Sequence, residues 1–461
     1  MCGILSIYTE DLLDIKALAY YGMIGLQHRG QEACGLSFIS NMSSKTINSN
    51  VSNIFKVEGN VERLFRHINI EPGFINTIVL THIRYATTGG STINNAQPFS
   101  INNTLGSLNL VHNGNLTNTN ELKLLCIKYK LTPNSNTDSE LILLLINYYW
   151  AKNKSLENAI IKTASLCKGA FSLIISTQDV MYVYRDKHGV RPLVYGIYKE
   201  DNKVAHIIAS ETCALDNIGA TYIKDIPLGT LISFSKNKYF NIVHAEEEIN
   251  KKSCIFEHIY FSRPDSVVNQ ESLYEYRFRL GQILATKLPV EADLVVGTPD
   301  SGLISALGYS HASSVPYGDA LIKNRYIGRT FIQPTQTMRQ QGIKLKLNPI
   351  PFILQDKIVI LVDDSIVRGN TSKLIIKSIR EAGAKEIHLR ISSPPIYNAC
   401  NLGMDFPDST KLVAHNKSVK EIAEFIGADS LAYLSVEDIL NANKETNANF
   451  CTGCFNNKYL E

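Results

Sequence analysis

The second half of the chain alternates short apolar runs with helical patterns, and this alternation constrains the fold more than any other feature of the sequence. Leu294 to Val296, Ile358 to Val362 and Ile387 to Ile391 have the length and composition of buried strands. One of the helical patterns ends at Gly383, and another begins with a capping box at Ser418 to Glu421. Strands that alternate with helices predict a parallel α/β sheet covered by helices.

The first half mixes strand-like runs with two helical patterns and predicts a separate α+β domain. An apolar stripe from Leu12 to Leu26 predicts one helix, and Thr137 to Glu140 has the capping-box pattern of another. The runs that predict strands are Thr77 to Leu80, Leu108 to His112, Phe171 to Ser176, Val180 to Arg185 and Thr230 to Phe234.

A polar stretch from Lys236 to Lys252 separates the two patterns, and we place the domain boundary near residue 240. The chain has 461 residues, and a typical domain has about 150. We therefore predict two domains, residues 2–240 and residues 241–461.

Composition and charge exclude several classes of protein. Apolar residues make up 44% of the chain and charged residues 19%, which excludes a disordered polyelectrolyte. The net charge is only +3, so we expect no nucleic-acid partner. The longest apolar run, Leu141 to Trp150, is too short to cross a bilayer, and the first residues lack the basic stretch of a secretory signal. We expect a cytoplasmic protein whose mature chain begins at or next to residue 1, with no membrane partner.

Cys2 directly follows the initiator methionine. Removal of Met1 would give one residue that carries both an α-amine, with an ordinary pKa of about 7.7–8.0, and a thiol, with an ordinary pKa of about 8.5. The amine would then be a base next to the nucleophile that it activates. A cysteine at the second position alone is also compatible with an ordinary residue, so the rest of the first half decides the interpretation.

Four further motifs make the first half resemble the class II glutamine amidotransferases, which are N-terminal nucleophile hydrolases with an αββα sandwich fold. These motifs match in order and spacing together with the Met1-Cys2-Gly3-Ile4 start. They are Leu26 to Gly30, Thr81 to Thr87, His112 to Leu116 and the helix start at Asp138.

The resemblance implies a role for each matching residue. Cys2 would attack the carboxamide of glutamine, Arg84 would clamp the α-carboxylate, and Asp138 would hold the α-ammonium. The side-chain amide of Asn113 and the N–H of Gly114 would stabilise the oxyanion. Simpler interpretations stay open, because Asn-Gly is typical of a type I′ turn and an aspartate in the first turn of a helix favours the helix dipole.

In the second half, two aspartates and a small polar loop stand between a strand and a helix. The run from Ile358 to Val362 leads into Asp363 and Asp364, and then into the loop from Ser365 to Ser372. Such a loop offers backbone N–H groups and hydroxyls to a phosphate. Two carboxylates beside a phosphate make sense if the ligand also has sugar hydroxyls or shares a divalent cation. The chain contains neither a P-loop nor a dinucleotide-binding glycine motif.

This segment resembles the phosphoribosyl-diphosphate (PRPP) motif of the type I phosphoribosyltransferases. The resemblance implies Mg²⁺ binding by Ser301 together with the two aspartates. The stretch from Lys323 to Lys346 resembles the mobile lid of these enzymes, although a solvated basic loop has the same composition. The implied PRPP-binding residues are Asp363, Asp364, Ser365, Val367, Arg368, Gly369, Asn370 and Thr371.

Nine cysteines in a chain of this length do not predict a disulfide scaffold. Cys451 and Cys454 form a C-x-x-C pair, which alone is compatible with zinc, iron–sulfur or redox use. Resemblance to cluster-containing members of one family implies that Cys254 and Cys400 complete a Cys₄ site for a [4Fe–4S] cluster. Zinc and buried reduced thiols are the alternatives. We interpret as core or incidental the remaining cysteines Cys34, Cys126, Cys167 and Cys213.

Joined in this order, the two halves resemble the glutamine PRPP amidotransferases over essentially the full length. The resemblance implies synthesis of 5-phosphoribosylamine, the first committed step of purine synthesis, with ammonia passing between two sites. It further implies feedback inhibition by purine nucleotides and a homotetramer. The alternatives are a class II amidotransferase with another acceptor, which the paired aspartates argue against, and a nucleotide-sensing regulator with a dead transferase site. The complete set of Cys2, Arg84 and Asp138 argues against the regulator.

Overall fold

The computed structural model describes residues 1–40, 52–68, 76–85, 92–324, 347–406, 408–444 and 449–460. Most of the stretch that resembles a lid, residues 325–346, lies outside this range. No helix among the described residues has the length and apolar character needed to span a membrane.

Two antiparallel sheets form the first half of the chain. Their strands are β1 (Gly3–Thr9), β2 (Ala33–Ser40), β3 (Ser52–Glu58), β4 (Asn76–Arg84), β5 (Phe99–Asn103), β6 (Gly106–Leu116), β7 (Gly169–Ser176), β8 (Met181–Arg185), β9 (Val194–Glu200), β10 (Lys203–Ala209), β11 (Thr221–Asp225), β12 (Thr230–Ser235) and β13 (Lys238–Ala245). The strand order is β11-β9-β10-β1-β4-β2-β3 in one sheet and β13-β12-β8-β7-β6-β5 in the other.

The two sheets pack face to face, and helices cover both outer faces. The inter-sheet core contains Ile4, Leu80, Val111 and Ile174 from strands of both sheets. The helices are α1 (Ile15–Gly25), α2 (Val61–Arg66), α3 (Thr119–Lys128), α4 (Asp138–Asn153), α5 (Leu156–Leu166) and α6 (Thr212–Ile218). Helices α1, α2 and α6 pack on the seven-stranded sheet, while α3, α4 and α5 pack on the six-stranded sheet. The predicted αββα sandwich is confirmed.

The second half contains a parallel four-stranded sheet with shorter elements around it. Its strands are β14 (Ser253–Cys254), β15 (Val267–Val268), β16 (Glu271–Ser272), β17 (Leu294–Gly297), β18 (Leu321–Lys323), β19 (Leu347–Pro349), β20 (Ile358–Asp363), β21 (Glu386–Ile391), β22 (Ser430–Tyr433) and β23 (Phe450–Cys451). The central order is β17-β20-β21-β22, and every pair in it is parallel.

Helices cover both faces of this parallel sheet, as the alternating pattern predicts. They are α7 (Leu273–Lys287), α8 (Leu303–Ser313), α9 (Pro351–Leu354), α10 (Asn370–Glu381), α11 (Val413–Asn416), α12 (Val419–Ile426), α13 (Val436–Asn441) and α14 (Gly453–Asn456). Helices α7 and α8 share a core with Val295 and Ile360, whereas α10 and α12 share a core with Val296 and Leu361 on the opposite face.

The structure differs from the sequence prediction at three places. Strand β13 pairs with β12 up to Ala245, so the first-half sheet continues past residue 240. The Thr137 hydroxyl caps α4, but the Glu140 carboxylate accepts from the N–H groups of Asn134 and Ser135 instead of closing a capping box. Helix α1 begins only at Ile15, because the Asp14 carboxylate caps it by accepting from the Ala17 N–H at 3.0 Å.

Helices α7 and α8 cross at Gly281 and Gly308, where the backbones are too close for a side chain. A Cβ atom on Gly308 would lie 2.0 Å from the backbone oxygen of Phe278. We expect Gly308→Ala to lower the free energy of unfolding by about 1–3 kcal/mol, because the helices must separate to admit the methyl group. Urea denaturation measures the change. The exposed Thr286→Ala on α7 is the control, and an equal effect of both variants would contradict the close crossing.

Candidate functional site

Cys2 directly precedes β1, the central strand of the seven-stranded sheet. Strand β1 pairs with β4, with Gly3 opposite Ile83, so Cys2 lies beside the end of β4. The Sγ atom of Cys2 is 3.7 Å from the backbone oxygen of Tyr85. The side chain is half-buried, so a substrate can reach the thiol while the strand fixes its position.

Asn113 and Gly114 lie inside strand β6, so the turn interpretation of this pair is wrong. Asn113 is fully buried, and its Oδ1 accepts from the backbone nitrogen of Cys2 at 3.2 Å. Its Nδ2 has no hydrogen-bond partner among the described residues. A buried amide donor without a partner, held next to a nucleophile, is suited to bind an oxyanion.

Arg84 and Asp138 flank this pair from two different elements. Arg84 is the last residue of β4 and is only 4% exposed. Asp138 is the first residue of α4, and its Oδ2 accepts from the Leu116 N–H at 3.0 Å, which ties it to the end of β6. Burial alone would raise the pKa of the Asp138 carboxyl group, but His112 and the Leu116 N–H favour its charged form and lower the pKa below its ordinary value. Asp138 is therefore a carboxylate near neutral pH.

A buried ion network connects Cys2 to the second half of the chain. The fully buried Arg29 donates through Nε to the Cys2 carbonyl oxygen at 2.9 Å. Its Nη1 and Nη2 atoms bind Glu211 and Glu257, the latter at 3.2 and 2.9 Å. Arg191 also donates to Glu257, at 3.2 Å.

Both glutamates of this network are ionised in the folded protein. Burial alone would raise the pKa of Glu211 and of Glu257. His28 and the guanidinium of Arg29 outweigh burial at Glu211, and Arg29 and Arg191 outweigh it at Glu257. The pKa of each carboxyl group therefore lies below its ordinary value. The two arginines and two glutamates balance in charge, which is the condition under which buried ions are tolerated.

In the second half, Asp363 and Asp364 lie at the carboxyl end of the parallel strand β20. The loop that follows β17 meets them there, because the Thr298 N–H donates to the Val362 carbonyl at 2.9 Å. Ser301, in the same loop, hydrogen-bonds to the Asp364 carboxylate. This edge of a parallel sheet is where open α/β folds bind ligands.

The environment of the two aspartates favours binding of a cation. Burial and the adjacent Asp364 charge raise the pKa of Asp363 well above its usual range. Burial likewise raises the pKa of Asp364, although the hydroxyls of Ser301 and Ser365 lower it in part. Two buried carboxyl groups with raised pKa values gain most from a divalent cation, because the cation favours their ionised forms.

The loop from Ser365 to Thr371 connects β20 to α10, whose first residue is Asn370. Arg368, Asn370 and Thr371 are exposed, while Val367 is half-buried and Gly369 is buried. Gly369 has a φ of +76° and precedes the helix, so this turn favours glycine. The exposed side chains of Arg368, Asn370 and Thr371 at the start of a twelve-residue helix are suited to contact a phosphate.

The four cysteines of the predicted cluster line one cavity, together with Arg191 and Tyr459. Strands β14 and β23 pair with Cys254 opposite Cys451. Main-chain N–H groups of Tyr397 and Asn398 donate to the Cys454 carbonyl at 3.0 and 3.1 Å, which brings in the segment that carries Cys400. Three distant segments are therefore joined around the thiols.

The fit of these four thiols to a metal rests on their chemistry. Within the described ranges, no three histidine, cysteine or acidic side chains are grouped closely enough to hold a metal ion. Burial is the main cause that raises the pKa of Cys254 to about 12 and that of Cys454 well above its usual range, and the neighbouring cysteines contribute to both shifts. The donor set fits a thiophilic metal or cluster, because a cation would relieve this repulsion.

The other cysteines behave as core residues. Cys34 and Cys213 are buried under the seven-stranded sheet, and Cys126 is buried under the six-stranded sheet. Cys167 packs at the edge of the second of these cores.

The two halves meet at the glutaminase-like site. The Tyr85 hydroxyl donates to the Asp405 carboxylate at 3.0 Å, and the Asn115 amide donates to the Asn401 carbonyl at 2.8 Å. A Cβ atom on Gly403 would lie 3.5 Å from the backbone carbon of Gly114. The segment after Cys400 therefore lies against the strand that carries Asn113.

Sequence reasoning missed Glu211, Glu257 and Arg191. A signal for Glu257 exists, since a charged residue stands inside the apolar run from Ile255 to Ile259. A charge in such a run indicates a buried partner. The identity of that partner, Arg29, could not be read from the sequence, because the two residues are 228 positions apart.

The ion network predicts a strong and pH-dependent effect on stability. We expect Glu211→Gln to lower the free energy of unfolding by about 3–5 kcal/mol at pH 7, because it leaves Arg29 with too little negative charge. The pKa of Glu211 is lowered on folding, so its stabilisation exists above the ordinary pKa of about 4.3 and is lost at lower pH. Urea denaturation across pH measures the difference from wild type. It should shrink below that pH, and the exposed Glu121→Gln should cost little throughout.

Comparisons with known proteins agree with this architecture. Residues 82–217 match the family model of a glutamine amidotransferase domain. An amidophosphoribosyltransferase of Synechocystis sp. is 46% identical over 99% of this chain and 90% of its own length.

Two solved structures match the whole fold. One is a glutamine PRPP amidotransferase from B. subtilis in complex with ADP and GMP, with a TM-score of 0.89, 37% identity and coverage of 99% of this chain and 97% of that one. The other is described as the allosteric regulatory enzyme of purine biosynthesis, with a TM-score of 0.89, 38% identity and coverage of 99% and 96%. Both halves are matched together, which an amidotransferase with another acceptor would not explain. The chain belongs to the amidophosphoribosyltransferase family, the glutamine-dependent enzymes that transfer nitrogen to PRPP.

Proposed function

We propose that the two sites divide the reaction, with glutamine cleaved at Cys2 and PRPP aminated at the Asp363–Thr371 loop. The observation that carries this proposal is the orphan Nδ2 donor of Asn113 beside Cys2, in a chain that also carries the paired aspartates at a parallel-sheet edge. The overall reaction converts PRPP, glutamine and water to 5-phosphoribosylamine, diphosphate and glutamate.

The Cys2 thiolate attacks the carboxamide carbon of glutamine, and the α-amine that Met1 removal would create accepts the thiol proton. That nitrogen is the atom now 3.2 Å from Asn113 Oδ1, which orients the Asn113 amide N–H group away from it. The amide and the Gly114 N–H then receive the oxyanion of the tetrahedral intermediate. The intermediate collapses as the α-amine returns its proton to the amide nitrogen, which leaves as ammonia. Water then cleaves the glutamyl thioester to glutamate and frees the thiol.

The amino-acid end of glutamine requires one cation and one anion. Arg84 is suited to bind the α-carboxylate through its planar guanidinium group, and Asp138, a carboxylate at neutral pH, is suited to bind the α-ammonium. Arg84 lies at the end of β4 and Asp138 at the start of α4, where the Leu116 N–H ties it to the end of β6. The pair would select a free α-amino acid over a peptide-bound glutamine.

At the second site, Asp363 and Asp364 would bind ribose hydroxyls, and the loop from Ser365 to Thr371 would bind the 5-phosphate. Ammonia attacks C1 of PRPP, the C1–O bond to diphosphate breaks, and the amine loses a proton. Ser301, Asp363 and Asp364 would hold Mg²⁺, which neutralises the leaving diphosphate when bound. Because free ammonia in neutral water is protonated and loses its nucleophilicity, transfer should be shielded from solvent.

The four thiols of Cys254, Cys400, Cys451 and Cys454 would hold a [4Fe–4S] cluster. The fit rests on four sulfur donors around one cavity and on the raised pKa values of Cys254 and Cys454. A cluster there would tie together the three segments that the backbone already joins. Its contribution would be to stability.

Regulation by nucleotides and assembly into an oligomer are separate parts of the proposal. The B. subtilis enzyme is described in complex with ADP and GMP, and we extend inhibition by purine nucleotides to this chain. We also propose a homotetramer in the cytoplasm. Titration with ADP and GMP together, followed by inhibition of diphosphate release, tests the first proposal, and light scattering tests the second.

The proposed role of Cys2 can be tested by removing its thiol. Cys2→Ala should abolish glutamine-dependent synthesis of 5-phosphoribosylamine and leave ammonia-dependent synthesis intact, because only the first site uses the thiol. An anaerobic assay that follows glutamate and diphosphate together measures both activities. In wild type the two products should appear in a ratio near one, and glutamate release should fall when PRPP is omitted.

Two results would contradict the assignment. Glutamine-dependent synthesis by Cys2→Ala would show that another group attacks glutamine. Glutamate release by wild type that is indifferent to PRPP would separate the two sites and remove the coupled mechanism. Cys126→Ser, which alters a buried core thiol of the first half, is the matched control and should retain both activities.

The proposed role of the four cysteines can be tested by removing one of their thiols. Cys451→Ser should reduce bound iron and lower the melting temperature, because one of four sulfur ligands is lost. Metal analysis and thermal denaturation of the anaerobically purified protein measure the two effects. Cys167→Ser is the control and should change neither. Zinc in place of iron would favour the alternative metal, and unchanged metal content in Cys451→Ser would remove the site.

A further inference from the structure

Arg29 is the link between the nucleophile and the second half of the chain. It ends a short 3₁₀ turn, Gln27–Arg29, and is fully buried. Its Nε–H donates to the carbonyl oxygen of Cys2 at 2.9 Å, the group directly after the α-carbon that carries the thiol. Any shift of the Arg29 guanidinium therefore shifts the main chain of the nucleophile.

The position of Arg29 is set largely by one short segment of the second half, Glu257 to Ser262. The Glu257 carboxylate takes a two-pronged contact from Arg29, with Nη1 at 3.2 Å and Nη2 at 2.9 Å. The ring of Phe261 lies under the guanidinium, 4.8 Å from its central carbon. Bidentate pairing fixes both distance and orientation, which a single contact does not.

Glu257 is itself fixed by partners other than Arg29. The Ser262 hydroxyl donates to its Oε2 at 2.6 Å, and Arg191 donates to its Oε1 at 3.2 Å. Glu257 is 1% exposed and lies three residues after Cys254. Its carboxylate is therefore a rigid anchor and not a solvent-facing counter-ion.

The same segment is also held from α7. Arg277, on α7, donates to the carbonyls of His258 at 2.8 Å and Ser262 at 2.6 Å. Arg277 is 3% exposed. The segment from Glu257 to Ser262 thus lies between Arg277 of the second half and the arginine that contacts Cys2.

We propose that Glu257 is a positioning residue for the nucleophile, so that glutamine cleavage depends on a carboxylate supplied by the second half of the chain. The chain of contacts runs from Glu257 to Arg29 and from Arg29 to Cys2. Glu257 touches neither substrate. This inference rests on the proposed role of Cys2 and goes beyond it, because it assigns a function to a residue outside the glutaminase half.

The test is Glu257→Gln, which keeps the size of the side chain and removes its charge. Loss of the charged anchor should let the Cys2 main chain drift by a fraction of an ångström to an ångström. We expect the kcat of glutamine-dependent synthesis to fall about 10- to 100-fold, as misplacement of a reacting group typically causes. The KM for glutamine should change little, because Arg84 and Asp138 hold the amino-acid end. The kcat of ammonia-dependent synthesis should stay within about twofold, since it bypasses Cys2.

A second readout follows the thiol directly. Alkylation of Cys2 by a diazoketone analogue of glutamine should slow in parallel with kcat. Glu275→Gln is the matched control, since this exposed glutamate on α7 pairs only with surface cations and should leave all rates unchanged.

The outcomes separate a positioning role from a structural one. Equal loss of glutamine- and ammonia-dependent activity would overturn the proposal, because it would make Glu257 a structural residue. No change in either activity would overturn it as well. If Glu257→Gln does not fold, Ser262→Ala replaces it, and an unchanged ratio of the two activities in Ser262→Ala would overturn the proposal. Failure of the proposed function is distinguished by Cys2→Ala, which would then retain glutamine-dependent activity whatever Glu257→Gln does.

Discussion

The contact on which the rest of the structure depends is the buried guanidinium of Arg29 between Glu211 and Glu257. Arg29 has a partner in the nucleophile segment, a partner at the start of α6 and a partner in the second half of the chain. Glu211 in turn accepts from the Arg263 N–H and the Ser266 hydroxyl, so residues of the second half also hold this glutamate of the first half. Buried ions are poor sources of stability but strong sources of geometric specificity, and here that specificity is placed where the nucleophile needs it.

The two sites solve opposite electrostatic problems with the same kind of side chain. At the first site, the His112 ring and the Leu116 N–H keep Asp138 ionised despite its burial, and a carboxylate suits an ammonium ligand. At the second, burial and the neighbouring carboxyl group raise the pKa values of Asp363 and Asp364. Asp138 is therefore charged near neutral pH, whereas full ionisation of the aspartate pair is unfavourable in the protein alone.

Local patterns in the sequence predicted local structure well, and they failed where a partner is distant. The capping box at Ser418 and the strand that ends at Asp363 are present, because the residues that define them are neighbours along the chain. The four-residue strand β22 was not predicted, because Ser430 to Tyr433 contains no β-branched residue, unlike the equally short β17. Cys2 and Asn113 were expected to act together through a resemblance, but the hydrogen bond between them depends on sheet packing that no local pattern carries.

The pairing of β14 with β23 has a consequence for how the chain is made. Cys254 opposes Cys451, and the segment that begins at Cys254 also carries Glu257, the partner of Arg29. During synthesis on a ribosome, the sandwich can emerge whole long before β23 exists, yet β14 has no strand to pair with until then. The nascent glutaminase half should therefore pass through a period in which its sheets are formed but β23 does not yet anchor the segment that carries Glu257. With Cys2 positioned through Glu257, full glutaminase activity would arise only once the acceptor site is built.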